Sequence, residues 1–438
     1  MSQKRLVSYR YVALRASTAA GTLGAGLLQT FVFARVLGAE RFSLFIFFAA
    51  IGYTLYSADV GMVKVLFVDL RRRFLQKEPL DQVAGQATAI FVLYSALVVV
   101  AALLCFTAII HSKYSTHDSV ELTLFFTFNA INLPWFALRY FSIAIDEYVY
   151  FETLEALRRG FNTAALLALL FGLPVLLFLL AINVGWLVNI FFAVVRLRQR
   201  HTLVGKLRGS FICFVAFIRG HKRQIVSSGL YAISEAYIYN FPYFLVPWAY
   251  GLGPPTIILD TTFKIYRVAN QFYSAACDTL VPRQTSALAE RNGPAMVRAT
   301  WLAAVLCTIP AVSLSSILIF GANKMFAILL GPAAVMPSAT TPIIIMLLFG
   351  NLAQMVSHSV LVHTGFFRDI ARISFGVATT LTIAAALAVW THLDIVQFLN
   401  AYTAVYTCGA IATVGLMIRG PIRGAHAVLP AIPQITPR

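Results

Sequence analysis

Charge is what this sequence has least of. Asp, Glu, Lys and Arg together make up 12% of its 438 residues, and the acids are the scarcer part, 17 against 34 Lys and Arg. Cysteine is sparse as well. Cys105, Cys213, Cys277, Cys307 and Cys408 include no CxxC pair, and four of them lie in or near apolar runs, which argues against a disulfide framework or a metal site. His358 and His363 stand outside any ligand pattern, so no metal is assigned. There is no GxxxxGK[ST] and no GxGxxG beside a strand pattern, so no nucleotide or other cofactor is expected. No cleavable signal peptide is read: the first apolar run is longer than a signal h-region and a second follows at once, so it stays as an anchor.

What fills the chain instead is apolar sequence, 59% of all residues. Twelve runs reach the roughly 20 residues that a bilayer crossing needs, near 12–34, 42–66, 84–110, 120–142, 161–178, 179–196, 224–248, 255–281, 299–320, 338–362, 370–391 and 395–418. The fifth and sixth form one stretch too long for a single crossing, and we divide it near Pro174 and residues 181–184. The fold class expected is therefore an all-α polytopic membrane protein with about 12 transmembrane helices.

Lys and Arg set its orientation, because they are retained on the cytoplasmic side. With the N-terminus inside, 26 of them fall in cytoplasmic segments, among them Arg71, Arg72, Arg73, Arg158, Arg159, Arg368 and Arg372. The opposite side holds 4: Arg35, Arg41, Lys113 and Lys324. This alternation predicts a multi-pass protein of the cell (inner) membrane with both termini cytoplasmic. It also explains most of the net charge of +17 without a nucleic-acid partner; the basic segments face lipid headgroups instead.

The longest hydrophilic stretch, about Arg196 to Arg223, divides the runs into six plus six. The expected organisation is an N-terminal lobe over 1–200, a basic cytoplasmic linker over 201–223 and a C-terminal lobe over 224–438. The phenylalanines and Ile212 between Ser210 and Ile218 predict a short helix lying on the cytoplasmic face. Halves of equal span number are a common transporter plan, with substrate bound where the repeats meet. Outer loops are all short, the longest about 17 residues after the ninth run. An enzyme that polymerises or transfers sugars outside needs a larger outer loop and paired carboxylates facing water, so no enzyme is expected.

One segment stands out within the eighth run. Asp260, Lys264, Arg267, Gln271, Ser274 and Asp278 follow one another at steps of 4, 3, 4, 3 and 4. At about 100° per residue they fall within about 40° either side of one line on a helix. Ionisable groups at membrane depth line a water-filled path, pair with one another or hold a substrate. Two readings stand. In one, Asp260 and Glu235 of the seventh run neutralise Lys264 and Arg267, and the seam joins helices. In the other, the two cations receive an anionic group such as phosphate through charge-assisted bonds. The first half adds Asp59, which pairs with Lys64 or Arg139, caps a break at Gly61, or serves a cavity; Arg139 of the fourth run is a further cavity candidate.

The run Phe33-Ala34-Arg35-Val36-Leu37-Gly38-Ala39-Glu40-Arg41-Phe42, followed by Ser57-Ala58-Asp59-Val60-Gly61-Met62, resembles the ARxLGxxxFG and DxG pattern in the first two helices of Wzx-like polysaccharide exporters. These belong to the multidrug/oligosaccharidyl-lipid/polysaccharide (MOP) superfamily. Lys264, Ala269 and Leu280-Val281-Pro282-Arg283 are similar too, while Ser43 stands where the family has glycine. The resemblance implies two six-helix lobes around a central cavity that opens alternately to either side. It implies an anionic substrate of sugars on a polyprenyl diphosphate, flipped outward for O-antigen or exopolysaccharide synthesis alongside other polysaccharide-assembly proteins. Lys264 and Arg267 would receive the diphosphate, with Gln271, Asp260, Glu235, Asp59 and Arg139 as further cavity candidates, and Arg35 would shape its loop. The rival within the fold is a multidrug or metabolite antiporter, although the first span has no acid; a glycosyltransferase or polymerase is the rival from another class.

Overall fold

The computed structural model describes residues 9–422 apart from 113, 206–208, 290, 291, 332 and 365. Both chain ends, and with them the expected cytoplasmic termini, lie outside the described residues, as do Lys113 and Arg208. The described chain is helical throughout, and seven of its helical stretches are long and apolar enough to cross a membrane. The protein is an all-α polytopic membrane protein. The runs that miss this threshold include those that carry charge inside the helix, α7 and α10 below.

Two compact units emerge, Met1–Asp260 with Phe326–Val335, and Thr261–Met325 with Met336–Arg438. The first contains α1 (Tyr9–Val36), α2 (Gly38–Thr54), α3 (Met62–Gln76), α4 (Asp81–Ile110), α5 (Thr116–Ala130), α6 (Asn132–Ala144), α7 (Tyr148–Leu170), α8 (Val175–His201) and α9 (Ser210–Tyr250). Helix α10 (Pro254–Ala289) begins in the first unit and continues in the second, and α11 (Gly293–Leu330) ends in the first. Helices α12 (Thr340–His363), α13 (Phe367–Trp390) and α14 (Ile395–Met417) complete the second unit. The division falls after α9 and not at the polar linker, because α9 packs against α2, α3 and α4.

The ends of these helices follow local chemistry. Gly38 and Gly172 adopt positive φ at tight turns. The Ser115 side chain accepts from the Asp118 N–H at the start of α5, and Asp394 with Gln397 forms a capping box on α14. Two expected spans are broken. The second runs through α2, a 3-10 turn at Leu55–Asp59, left-handed Val60 and Gly61, and α3. The fourth is divided at Ile131 into α5 and α6.

The fifth and sixth spans turn at Phe171–Pro174, beside the Pro174 at which the stretch is divided. The short helix expected at 210–218 is present as residues 210–220: α9 is two helices joined at His221, where φ −114° and ψ 16° leave the helical region. Two expectations need correction. Helix α7 starts at Tyr148, well before residue 161, and so contains Arg158 and Arg159. The helix can hold them because Glu155 accepts hydrogen bonds from both. The connection after α11 is shorter than expected, since that helix persists to Leu330.

Each unit has its own core. In the first, Phe33, Phe42, Phe45, Phe125 and Phe178 form a cluster of edge-on and tilted rings joining α1, α2, α5 and α8. Helices α2 and α5 approach so closely at Gly52 that a Cβ there would lie 2.7 Å from the Phe126 carbonyl oxygen. In the second, Tyr402 and Tyr406 of α14 pack against Phe263 and Tyr266 of α10.

Candidate functional site

Helix α10 has two unlike faces. Phe263, Tyr266, Ala269, Tyr273, Cys277 and Leu280 are all at most 4% exposed. Their polar atoms are satisfied within the second unit: Tyr266 Oη lies 2.8 Å from Tyr406 Oη, Tyr273 Oη donates to the Leu348 carbonyl at 3.3 Å, and Asn351 Nδ2 donates to the Tyr266 carbonyl at 3.4 Å. Such a face is fixed, since each buried hydroxyl would lose its partner if the helix rotated. The opposite face carries the seam. Lys264, Arg267 and Ser274 are half-buried and Gln271 is exposed. All lie on one uninterrupted helix, as the spacing predicts; the side chain of Asp278 lies outside the described residues. Asp260, at the start of the seam, is buried in the first unit and accepts from Tyr243 Oη of α9 at 3.1 Å.

The first-unit candidates are placed differently. Asp59 is buried at the break in the second span, where its carboxylate accepts from the backbone N–H of Gly61 (3.1 Å) and Val63 (3.0 Å) and from Tyr94 Oη (2.6 Å). In this geometry Asp59 caps the break at Gly61. The first turn of α3 has N–H groups with no helical acceptor, and an anionic side chain there satisfies them and complements the helix dipole. Lys64, one turn further along, is half-buried with its ammonium 5.7 Å from the centre of the Tyr231 ring of α9, within electrostatic reach of Asp59 and of half-buried Glu235. Arg139 does not meet Asp59; it donates to Glu152 at 2.7 Å.

Sequence reasoning missed an ionic network on α7. Glu155 takes Arg158 on both carboxylate oxygens (2.7 and 3.1 Å) and Arg159 at 2.8 Å, while Arg159 also donates to the Thr18 carbonyl of α1 at 3.3 Å. The Arg158 guanidinium lies 3.6 Å from the centre of the Trp186 ring of α8, itself 1% exposed. The signal was present: Glu152, Glu155, Arg158 and Arg159 stand at steps of three and four, the spacing of helical ion pairs.

The motif at the end of the first span is structural. Arg35 donates to the Phe31 carbonyl at 2.9 Å and to the Ile328 carbonyl at 2.7 Å, near the C-terminus of α11 where carbonyls lack helical donors. Arg41 pairs with Glu121 and, at 3.4 Å, with Asp118, on the wall of a cavity of about 380 Å³ that Gly38, Leu44 and Tyr114 also line. His117 brings a third ligand-type atom to these carboxylates, all within 4.8 Å of one another. The Arg41 guanidinium already serves both acids. Ser43, where the motif has glycine, is fully buried with its hydroxyl donating to the Glu40 carbonyl at 2.7 Å.

No family model matches the sequence, and no curated protein matches it either. Solved structures do. An inward-facing multidrug resistance MATE family transporter of the MOP superfamily aligns at a TM-score of 0.65, with 13% identity over 96% of this chain and 100% of that one. The MATE multidrug transporter DinF-BH, solved as a ligand complex, gives 0.62 and 13% over 96% and 98%. A MOP superfamily transporter from Pyrococcus furiosus, described as having a binding pocket of reversed polarity, gives 0.60 and 11% over 97% and 100%. The chain has the MATE-type fold of that superfamily over nearly its whole length. At these identities the likeness extends to the fold alone.

Proposed function

We propose that this chain is a membrane transporter, not an enzyme, that flips a lipid-linked oligosaccharide, sugars on a polyprenyl diphosphate, from the cytoplasmic to the outer leaflet by alternating access. The observation that carries this reading is the division of α10: a buried tyrosine face bonded into the second unit, and a less buried face on which Lys264 and Arg267 are half-buried and Gln271 is exposed. A diphosphate suits such a face. Arg offers a planar fork of donors and Lys a mobile point charge, and both act more strongly where water is partly excluded. The resemblance of the Arg35-to-Phe42 and Asp59-Val60-Gly61 motifs to polysaccharide exporters supports the same substrate class. In this reading the protein sits in the inner membrane with both termini cytoplasmic, works beside other polysaccharide-assembly proteins, and uses its acids to hold structure, as Asp59 does.

A multidrug transporter is the second reading, favoured by the multidrug activity of two of the fold neighbours. One experiment separates them. The purified chain is reconstituted into liposomes containing a fluorescent polyprenyl-diphosphate-linked saccharide, and the fraction reaching the opposite leaflet is read by an impermeant quencher. Faster equilibration than in protein-free liposomes, lost on Arg267→Ala and partly kept on Arg267→Lys, is the expected result. Equilibration at the protein-free rate, with active uptake of a cationic dye by the same vesicles, would overturn the flippase in favour of the multidrug reading.

A further inference from the structure

Element α9 is two helices joined at a kink at His221, whose Nδ1 is 3.1 Å from the Phe217 carbonyl. The part after the kink, 222–250, spans about 40 Å at about 1.5 Å per residue and is by itself long enough for a hydrocarbon core of about 30 Å, so the part before it is not needed for the crossing. This arm, residues 210–220, has an inner face that packs: Phe214 and Phe217 are buried, and Cys213 sits where a Cβ on Gly85 of α4 would lie 3.3 Å from its sulfur. The outer face is the reverse of what water permits. Phe211 is 73% exposed and Ile212 75% exposed, with exposed Ala216 one turn on and exposed Arg219 and Lys222 beyond.

We infer that this outer face docks into the interface of the leaflet it meets and selects anionic phospholipid. Two bulky apolar side chains side by side on a helix that also carries cations fit the boundary between acyl chains and headgroups. The sign of the local charge supplies the preference. No Asp or Glu occurs in the sequence between Glu155 and Glu235, while Arg196, Arg198, Arg200, Lys206, Arg208, Arg219, Lys222 and Arg223 fall inside that interval. Helices α3 and α4 pack against α9; Asp69 of α3 is bonded to Arg73 at 3.3 Å, and along the sequence from Asp69 to Asp81 the three acids, with Glu78, are outnumbered by Arg71, Arg72, Arg73 and Lys77. Glu147 is taken up by Arg196, Arg200 and His201. The docking surface is independent of what the protein transports, because it concerns only the arm and the bilayer.

The test uses the full chain in nanodiscs of two parts phosphatidylcholine to one part phosphatidylglycerol. Ile212→Cys is labelled with an environment-sensitive fluorophore in a chain carrying Cys105→Ser, Cys213→Ala and Cys408→Ser; buried Cys277 and Cys307 are left in place. Bromines are put on the acyl chains of one lipid or the other. Quenching by brominated phosphatidylglycerol beyond its share of the lipid is expected, and Arg219→Gln with Lys222→Gln should remove that excess, each lost charge weakening the preference about fivefold. Quenching in proportion to lipid share would overturn the selectivity, and no quenching by either lipid would overturn the docking. Native mass spectrometry of the unlabelled protein gives a second reading: phosphatidylglycerol adducts should fall in the double Gln variant, and an unchanged adduct distribution would count against the proposal.

Discussion

Helices α7 and α10 each carry two cations within a turn of one another in a chain otherwise poor in charge, and they treat them in opposite ways. On α7 the Arg158 side chain is 8% exposed and its carboxylate partner Glu155 11% exposed, with Arg159 on the same carboxylate and an indole face against Arg158. On α10 the apolar and tyrosine face is the buried one, and Lys264 and Arg267 are half-buried on another face beside exposed Gln271. Counting charges along a helix does not separate the two cases. What separates them is the neighbourhood: Arg158 and Arg159 share one carboxylate that is 11% exposed, whereas Lys264 and Arg267 share their helix face with exposed Gln271, and a cation within reach of a ligand can bind it.

The sharpest way to break this contrast is to remove one group from each helix. Glu155→Gln leaves two guanidinium groups sharing a neutral amide in a closed site, and we expect a loss of about 3 kcal/mol or more, seen as a lower thermal midpoint and reduced abundance in the membrane. Arg267→Ala should leave midpoint and abundance near those of the parent while abolishing flipping. The opposite pattern, a stable Glu155→Gln protein and an unfolded Arg267→Ala protein, would show that the roles of the two helices are exchanged.

The contrast also explains what could be read from the sequence. The helical rods, the single face shared by Lys264, Arg267 and Gln271, and a break beside Gly61 all follow from period and local backbone rules that act over a few residues. The same rules reach Glu155 with Arg158 and Arg159, but the apolar run begins only at residue 161 because charge interrupts it, which leaves those arginines in a cytoplasmic segment. Tertiary partners are of another kind. Arg41 finds Glu121 across 80 residues and Asp59 finds Tyr94 across 35; no local period carries that information. The expected boundary at the polar linker likewise reflects composition, whereas the division after α9 reflects which helices touch.

A smaller effect is expected at the break in the second span, where the first unit is closed by backbone fit and not by charge. Gly61 has φ +79°, and a Cβ there would stand 2.2 Å from Ser228 Oγ of α9. Gly61→Ala therefore meets both left-handed strain and a collision, for which we expect a loss of about 2 kcal/mol in unfolding measurements. Adding Ser228→Gly should restore the part due to collision and leave the conformational part. Wild-type stability in Gly61→Ala alone would mean that α9 does not lie against the break in the working protein.

The smallest effect concerns a carboxylate outside the membrane spans, which tests whether paired charge in the first unit stabilises it as the enclosed pairs of α7 are argued to do. Glu147, between α6 and α7, is bonded to Arg196 at 3.0 Å, to His201 at 3.3 Å and to Arg200 at 3.5 Å. Burial pushes its carboxyl up, but the hydrogen bonds from His201 and Arg196 and the charges of Arg196 and Arg200 outweigh that and hold it below the ordinary glutamate value. A carboxyl depressed by folding binds fewer protons folded than unfolded, so its contribution is complete above the unfolded value of about 4.3 and declines as pH falls toward the folded one. Thermal midpoints of the reconstituted protein should therefore drop more steeply below about pH 4.5 than those of Glu147→Gln, which starts lower and has no such carboxyl to protonate. Parallel curves for the two proteins would show that the cluster adds no stability.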